Sequence, residues 1–586
     1  MAAALAAWPR PAAAQTAPEG NAHPQTRAVS EYTGANPFGD GSPTGMGIEA
    51  KRAFAERLAA NGGLEPLRDL AVFHNGRVKI LDTLARWTVK TITGRREYID
   101  LLPIDGGRAR KVRYDPLFTL IDLAVDPAYY ADKPLIYVEY LPLREAFIER
   151  AYADEASREW WKKQGRLTPE VIRAQFRAIA SEGHEAFARG LNSVGQAMTL
   201  YLQGYANLEM VAPESRERPW RHVATLDPSS PAGAAIHALG AAWRAGDADG
   251  VKAAAASLAA ELPRINPEMY PGGARRLERV YNASSPFEYG FWLYFLSLLS
   301  LLLAFGTGRR WLAAVGVATL VAAVGLHGFG FVSRCILAER FAIQNQFESM
   351  TGLSLFAAVV GLVIMLARRQ WLFGAAAAGV GFMVLVTATQ TGIPGQAIER
   401  EAAILNTSVL LKYHVTTVLV SYGLISLGFI TSLFYLATHY AARLRARGAA
   451  APARGAVAVP GGGVVEVSAT ALGLPEDAPK GPARVLSDLD RAQMIILQLA
   501  FWTLGVGILL GAWWADHSWG RWWAFDPKET WALVTWIVYL IVVHVRVSTA
   551  RNRGLITAWL SVVGFIMMLW CYFGVNLMLS GLHAYA

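Results

Sequence analysis

The densest chemistry in this 586-residue chain lies between Trp513 and Trp536, where seven of the 19 tryptophans fall within 24 positions. The run Trp519-Gly520-Arg521-Trp522-Trp523-Ala524-Phe525-Asp526-Pro527-Lys528-Glu529-Thr530-Trp531 sets indoles beside two cations and two carboxylates. Tryptophan also favours the membrane–water boundary, so a boundary belt and a ligand platform are equal readings of this segment by itself. As a platform, several indoles give a flat apolar surface with polar edges. That surface suits a large planar amphiphile whose anionic groups meet Arg521 or Lys528.

The histidines favour the platform. Five of eleven lie in or at the ends of apolar segments, namely His327, His414, His439, His544 and His583. His414 and His583, about 170 residues apart, are both expected on the side of the tryptophan run. Two imidazoles flanking an aromatic platform are a donor set for axial coordination of a porphyrin iron. His544 lies inside an apolar segment, and an ionisable group at membrane depth is a functional candidate by default. It is read as a ligand of a second haem, with its partner on another subunit and His327 as the weaker second choice. His439 is expected to snorkel at a boundary. His23, His74, His184, His222, His237 and His517 show no ligand spacing and are expected to be surface or structural, although His517 falls within the tryptophan run.

Other chemistries are excluded. Two cysteines cannot build a disulfide framework, a four-thiolate zinc site or a C-x-x-C-H attachment motif. Cys335 and Cys571 are expected to be buried, inert thiols. No metalloprotease, P-loop or nucleophile-elbow motif stands in the context those motifs need. The net charge of +9 is not gathered on one basic face, which removes nucleic acid as a partner.

The elements that must carry these residues follow from hydropathy. The chain is 53% apolar and 17% charged, against about 25% charged for globular proteins. Eight apolar runs are predicted to cross a membrane, over 287–305, 311–332, 352–367, 371–387, 412–439, 494–513, 531–547 and 555–579. Each is about long enough for a hydrocarbon core of roughly 30 Å, and backbone amides in lipid must bond within a helix. Arg309 and Arg310, Arg368 and Arg369, Arg443, Arg445 and Arg447, and Arg546, Arg551 and Arg553 mark four connections as cytoplasmic. The other connections mix signs, with Arg334, Glu339, Arg340 and Glu348 in one of them. The soluble part, the tryptophan run and the C-terminus are then all extracytoplasmic.

Residues 1–50 read as a signal-like remnant, Ala-rich up to Gln15, followed by a flexible linker. Residues 51–286 are expected to form an extracytoplasmic α(+β) domain, with amphipathic helices in 166–210 and 232–262 and short strands in 77–104 and 134–141. Residues 287–586 form the membrane domain, interrupted by a flexible cytoplasmic loop at 441–490. The fold class is mainly α, a polytopic membrane protein.

The run from Trp519 to Trp531 resembles the WWD signature of haem-handling proteins, and in detail the CcsA/ResC branch, the membrane component of the System II cytochrome c synthase. The resemblance covers about residues 330–586. Phe347-Glu348-Ser349 resembles the family's external Glu-Ser element, Tyr413-His414-Val415 its first external histidine, His544-Val545-Arg546 its membrane histidine and Gly581-Leu582-His583 its terminal external histidine. Phe525 stands where the family has Trp before the Asp, an aromatic exchange compatible with stacking. The run Gly76 to Ala85 resembles, more distantly, the extracytoplasmic part of extended CcsA-type proteins.

The resemblance implies haem b as both ligand and substrate, with His414 and His583 on the iron of an external haem and His544 on that of a membrane haem. Trp519, Trp522, Trp523, Trp531, Arg521, Asp526 and Lys528 would surround the external ring. It implies presentation of that haem for thioether attachment to the C-x-x-C-H motif of apocytochrome c, with no nucleophile on this chain. Implied partners are a CcsB/ResB-like membrane subunit, a thioredoxin-like thiol reductant and the lipid of a bacterial cytoplasmic membrane. The rival readings are a haem handler of the CcmC type without ligation activity, and a structural subunit whose tryptophan loop docks a protein.

Overall fold

The computed structural model describes residues 34–104, 108–182, 187–215, 217–393, 395–399, 409–449, 482–548, 552–579 and 581. His23, His184, His583, the segment before residue 34 and most of the 441–490 loop lie outside these residues. The chain divides into two units, one ending at Arg275 and the other beginning at Arg276.

Among its described residues the first unit is helical with three small antiparallel strand pairs, two of them hairpins. Strands Ala71–His74 and Arg77–Ile80 are joined by Asn75-Gly76 with φ of 50° and 75°, the two left-handed positions that a tight right-twisting hairpin requires. The longest hairpin pairs Tyr98–Ile104 with Arg108–Tyr114. Between these hairpins the structure departs from the sequence expectation. Leu81–Thr93 is a helix rather than a strand, because Leu81, Leu84, Ala85, Thr88, Val89 and Ile92 recur at helical spacing and are all buried. Helices Pro169–Ser181, Ala188–Gln203, Pro231–Arg244 and Ala248–Ile265 fill the stretches expected to be helical. The core holds one fully buried cation. Lys51 Nζ lies 2.8 Å from Asp122 and 3.1 Å from Asp126, while Tyr130 and Trp243 also donate to Asp122. Every charge there is paired and bonded, the condition under which burial is tolerated.

Among its described residues the second unit has eight helices long and apolar enough to cross a membrane: Pro286–Thr307, Arg310–Leu337, Gln346–Arg368, Trp371–Gln390, Leu410–Leu444, Val485–Trp519, Pro527–Val545 and Arg553–Gly574. They are called the first to eighth spans below. This is a multi-pass membrane protein. The third span begins six residues before the expected 352, because Asn345 caps it by accepting from the Glu348 amide at 2.8 Å. Glu348 and Arg334 therefore belong to helices rather than to the connection between them.

The bundle closes through small residues. A Cβ on Gly507 would meet Val418 at 2.7 Å, one on Gly511 the His414 ring at 2.6 Å, and one on Gly505 the Trp536 indole at 2.8 Å. The sixth span thus seats the fifth on one face and the seventh on another, the close approach that small residues permit in membrane helices. His327, at the heart of the bundle and fully buried, is bonded at both nitrogens. Its Nδ1 accepts from Tyr294 at 3.2 Å and its Nε2 donates to the Thr351 carbonyl at 2.9 Å. It ties the first three spans together, and neither nitrogen reaches a ligand without losing one of those bonds.

Candidate functional site

The sixth span ends at Trp519, where Gly520 turns left-handed at φ 69° and its amide bonds the Asp516 carbonyl at 2.8 Å. The chain runs without regular structure to Asp526, where the seventh helix starts. Pro527 occupies its first turn, Asp526 accepts from the Lys528 amide at 3.1 Å, and Glu529 accepts from the Asp526 amide at 3.3 Å and the Ala524 amide at 3.0 Å. This is a reciprocal capping box with proline at the first helical position. The Asp-Pro-Lys-Glu element, read from sequence as ligand chemistry, is thereby explained as a helix start, and the mostly buried Asp526 carboxylate is engaged in it.

The aromatic run is not one flat shelf. Its rings meet edge-on, Trp514 with Trp519 at 4.8 Å, Trp523 with Phe525 at 6.3 Å and Trp531 with Trp570 at 5.8 Å, which is the favoured geometry for aromatic quadrupoles. Trp514 is buried against Leu411 with Trp519 beside it. Trp522 and Phe525 are instead 58% and 66% exposed, and Arg521 is exposed with them. Phe525 holds φ at 54°, a conformation that costs a residue bearing a Cβ roughly 1–2 kcal/mol. Such strain concentrates at working sites.

Beside this loop the helix ends converge on a cavity of about 200 Å³. Its wall includes the 341–346 connection, Ser349 of the third span, Leu411 to Leu419 of the fifth, Trp514 of the sixth, Lys528 of the seventh and Tyr572 of the eighth. His414 is one of the lining residues. Its Nδ1 donates to the Gly507 carbonyl at 2.8 Å, which in a neutral imidazole places the lone pair on Nε2. Lys412 and Lys528 also line the cavity, and among the described residues no carboxylate does. Tyr572 bonds the Ser349 hydroxyl and, at 3.2 Å, the Gln346 carbonyl. It sits in a π-helical turn, Trp570–Gly574, a feature often found at functional sites. Tyr422 donates to the Cys571 sulfur at 3.3 Å.

Of the residues singled out in the sequence, the structure brings His414, Lys528 and, through Trp514, Trp519 to one place. His544 lies elsewhere, exposed on the seventh span, the least buried of the eight. Its Nδ1 donates to the Leu540 carbonyl at 2.8 Å. His517 bonds the Trp513 carbonyl, and His439 stacks on Tyr435. His583 is outside the described residues. Gly581, two positions earlier, packs so tightly on the capping box that a Cβ there would lie 2.6 Å from Asp526 Oδ1. Sequence reasoning missed Lys412, Tyr422 and Tyr572, while Ser349 is marked there only as part of the Glu-Ser element. Lys412, two positions from His414, is the one that proximity could have flagged.

Fold and site define a multi-pass membrane protein with a histidine-bearing, cation-lined cavity where alternate helix ends meet. Residues 286–583 match the family of cytochrome c assembly proteins, and the chain belongs to that family, as a CcsA-type cytochrome c biogenesis protein. It is similar to the cytochrome c biogenesis protein CcsA of Synechococcus sp. (strain CC9902), 31% identical over 313 residues that cover 52% of this chain and 98% of that one. It is 32% identical over 308 residues to the CcsA of Parasynechococcus marenigrum (strain WH8102), covering 50% and 94%. Against the CcsA of Trieres chinensis it is 28% identical over 309 residues, covering 52% and 97%. The family match begins at residue 286, so the first unit lies outside it.

Proposed function

We propose that this protein binds haem b in the cavity beside its tryptophan loop, with His414 and His583 on the iron, and presents it for thioether attachment to apocytochrome c. The observation that carries this reading is an apolar cavity whose described lining holds His414 with two lysines and no carboxylate, a match for a metalloporphyrin with two propionates. The cavity is smaller than the roughly 300–1,000 Å³ that encloses a whole ligand. One edge of the ring therefore enters it, and the remainder lies against the exposed aromatics of the loop, Trp522 and Phe525. Trp519, Trp523 and Trp531 brace that loop, and Arg521 and Lys528 meet the propionates. Asp526 acts through the cap that sets the start of the seventh span. His583 follows Gly581, which is packed on that cap.

The client's C-x-x-C-H histidine displaces one axial imidazole, and each thiol adds across a vinyl group. A sulfur–carbon bond forms, the vinyl double bond becomes single and the thiol proton passes to the neighbouring carbon, with no net oxidation. The chain contributes proximity and orientation. The chemistry needs reduced thiols, which a thioredoxin-like reductant supplies. His544, an exposed imidazole at membrane depth, serves a second haem together with a CcsB/ResB-like subunit. Arg309, Arg368, Arg443 and Arg553 gather at the helix ends opposite the cavity. By the positive-inside rule this supports a cavity on the extracytoplasmic face of a bacterial cytoplasmic membrane.

The test is an absorption spectrum of the purified protein, oxidised and then reduced. His414→Ala and His583→Ala should each remove the outer haem signature and cytochrome output, while His544→Ala removes a different component. Unchanged haem yield and output in both outer variants would end this assignment. A chain that releases intact haem but never converts an apocytochrome peptide to the thioether product would be a handler of the CcmC type.

A further inference from the structure

The 341–346 wall of the cavity is backed by charges that are almost wholly shielded from water. Arg334 and Glu348 are fully buried and Arg340 is 8% exposed. Arg334 Nη2 donates to Glu348 Oε1 at 3.0 Å, and Arg340 grips both carboxylate oxygens, at 2.6 and 3.1 Å. The second oxygen of Glu348 also accepts from the Gln344 amide at 3.2 Å. The guanidinium groups then reach across to a different connection. Arg334 donates to the Gln396 carbonyl at 2.8 Å and to that of Gly395 at 3.0 Å, and Arg340 to that of Glu399 at 3.2 Å. Gly395, at φ 88°, lies so close to Asn345 that a Cβ would fall 2.3 Å from it. Asn345 is the cap of the third span and, with Gln344, a wall residue of the cavity.

A lone Arg–Glu pair would settle the charge of Glu348. The second guanidinium adds a two-pronged grip on the carboxylate that a single ion pair would not give. Its bonds are to main-chain carbonyls of the 395–399 segment, which precedes the fifth span that carries His414. Bidentate arginine contacts add geometric definition beyond attraction, and charges buried in this way are better explained by specificity than by stability.

We propose that Arg334, Glu348 and Arg340 form a positioning brace. It fixes the 341–346 wall against the 395–399 segment, so that the cavity that His414 lines keeps a set width. The haem part of the test rests on the function proposed above. The brace itself does not.

The test uses the full-length protein purified in detergent. In the triple variant Arg334→Met, Glu348→Leu, Arg340→Leu, apolar groups of similar volume replace the charges, an exchange that proteins often tolerate without loss of stability. Hydrogen exchange over 339–348 should quicken at least tenfold while thermal unfolding stays near that of the parent. Haem affinity should fall at least tenfold, with an altered Soret band. Unchanged exchange, or faster exchange with parental haem affinity and spectrum, overturns the proposal. If the triple variant does not fold, Arg340→Lys, which keeps the charge but not the two-pronged grip, should lower haem occupancy several-fold at normal protein yield. Parental occupancy there overturns the proposal equally. His414→Ala run in parallel separates the two ideas, because a spectrum indifferent to His414 refutes the haem site while the exchange result still judges the brace.

Discussion

Replacing Gly511 by alanine probes how tightly the structure holds His414. The new Cβ would lie 2.6 Å from the imidazole Cε1, 2.9 Å from Nδ1 and 3.2 Å from Nε2. Carbon atoms rest 3.5–4.0 Å apart, so the ring must retreat by about 1 Å. The Nδ1 bond to the Gly507 carbonyl, now 2.8 Å, would stretch beyond the limit of about 3.2 Å for a good N–H···O bond. Leaving a buried partner unsatisfied costs about 1–3 kcal/mol, which corresponds to a ~5- to 150-fold loss of haem affinity if the ring must be in place to bind iron. Titration of haem into the purified protein, followed at the Soret band, measures this directly. Gly505→Ala is the matched control, because its Cβ would press on the Trp536 indole at 2.8 Å instead and should disturb stability without the spectral change. Parental affinity and spectrum in Gly511→Ala would refute the inference that this ring position matters.

Two further outcomes follow from other parts of the chain. Asp526→Ala should lower thermal stability by about 0.5–2 kcal/mol through loss of the cap, and Asp526→Asn, which still caps, should recover most of it. Equal loss in both variants would show that charge rather than capping is at stake. In the first unit, burial first and then the charges of Lys79 and Arg77 bring the His74 imidazole from 6.5 down to about 3. The unfolded chain therefore takes up this proton as pH falls below about 6.5, whereas the folded unit does not until about 3. The stabilisation is complete above that range and drains away through it. Hydrogen-exchange protection of residues 71–93 in the full chain, referred to the intrinsic rate at each pH, should fall between pH 7 and pH 5, and His74→Gln should flatten that dependence. An unchanged slope in the variant would contradict the assignment.

The eight spans were legible because lipid imposes one length and one bonding rule, and each apolar run had a helix to match. The third was read short for an instructive reason. Glu348 looks like the edge of a loop to any hydropathy argument, but it is a helical residue whose charge is answered by two arginines from elsewhere. The helix at Leu81–Thr93 was misjudged because its threonines, valine and isoleucine resemble a strand in composition while their spacing is helical. At the site, His414 and Lys528 were legible as types, and the structure adds that they face one cavity. The Asp-Pro-Lys-Glu segment carried a helix-start signature that the search for ligand chemistry passed over. Tyr422 and Tyr572 left no mark in the sequence, since only the convergence of distant helices gives them a common wall with Ser349.

The locked state of His327 has a wider consequence. With Tyr294 and Thr351 as its partners, it bolts three helices together without help from any guest. A scaffold fastened by its own side chains keeps its shape when vacant, so loading and unloading can be repeated without dismantling the frame. On the proposed function, turnover would then be a matter of occupancy at one rim, with the architecture behind it idle.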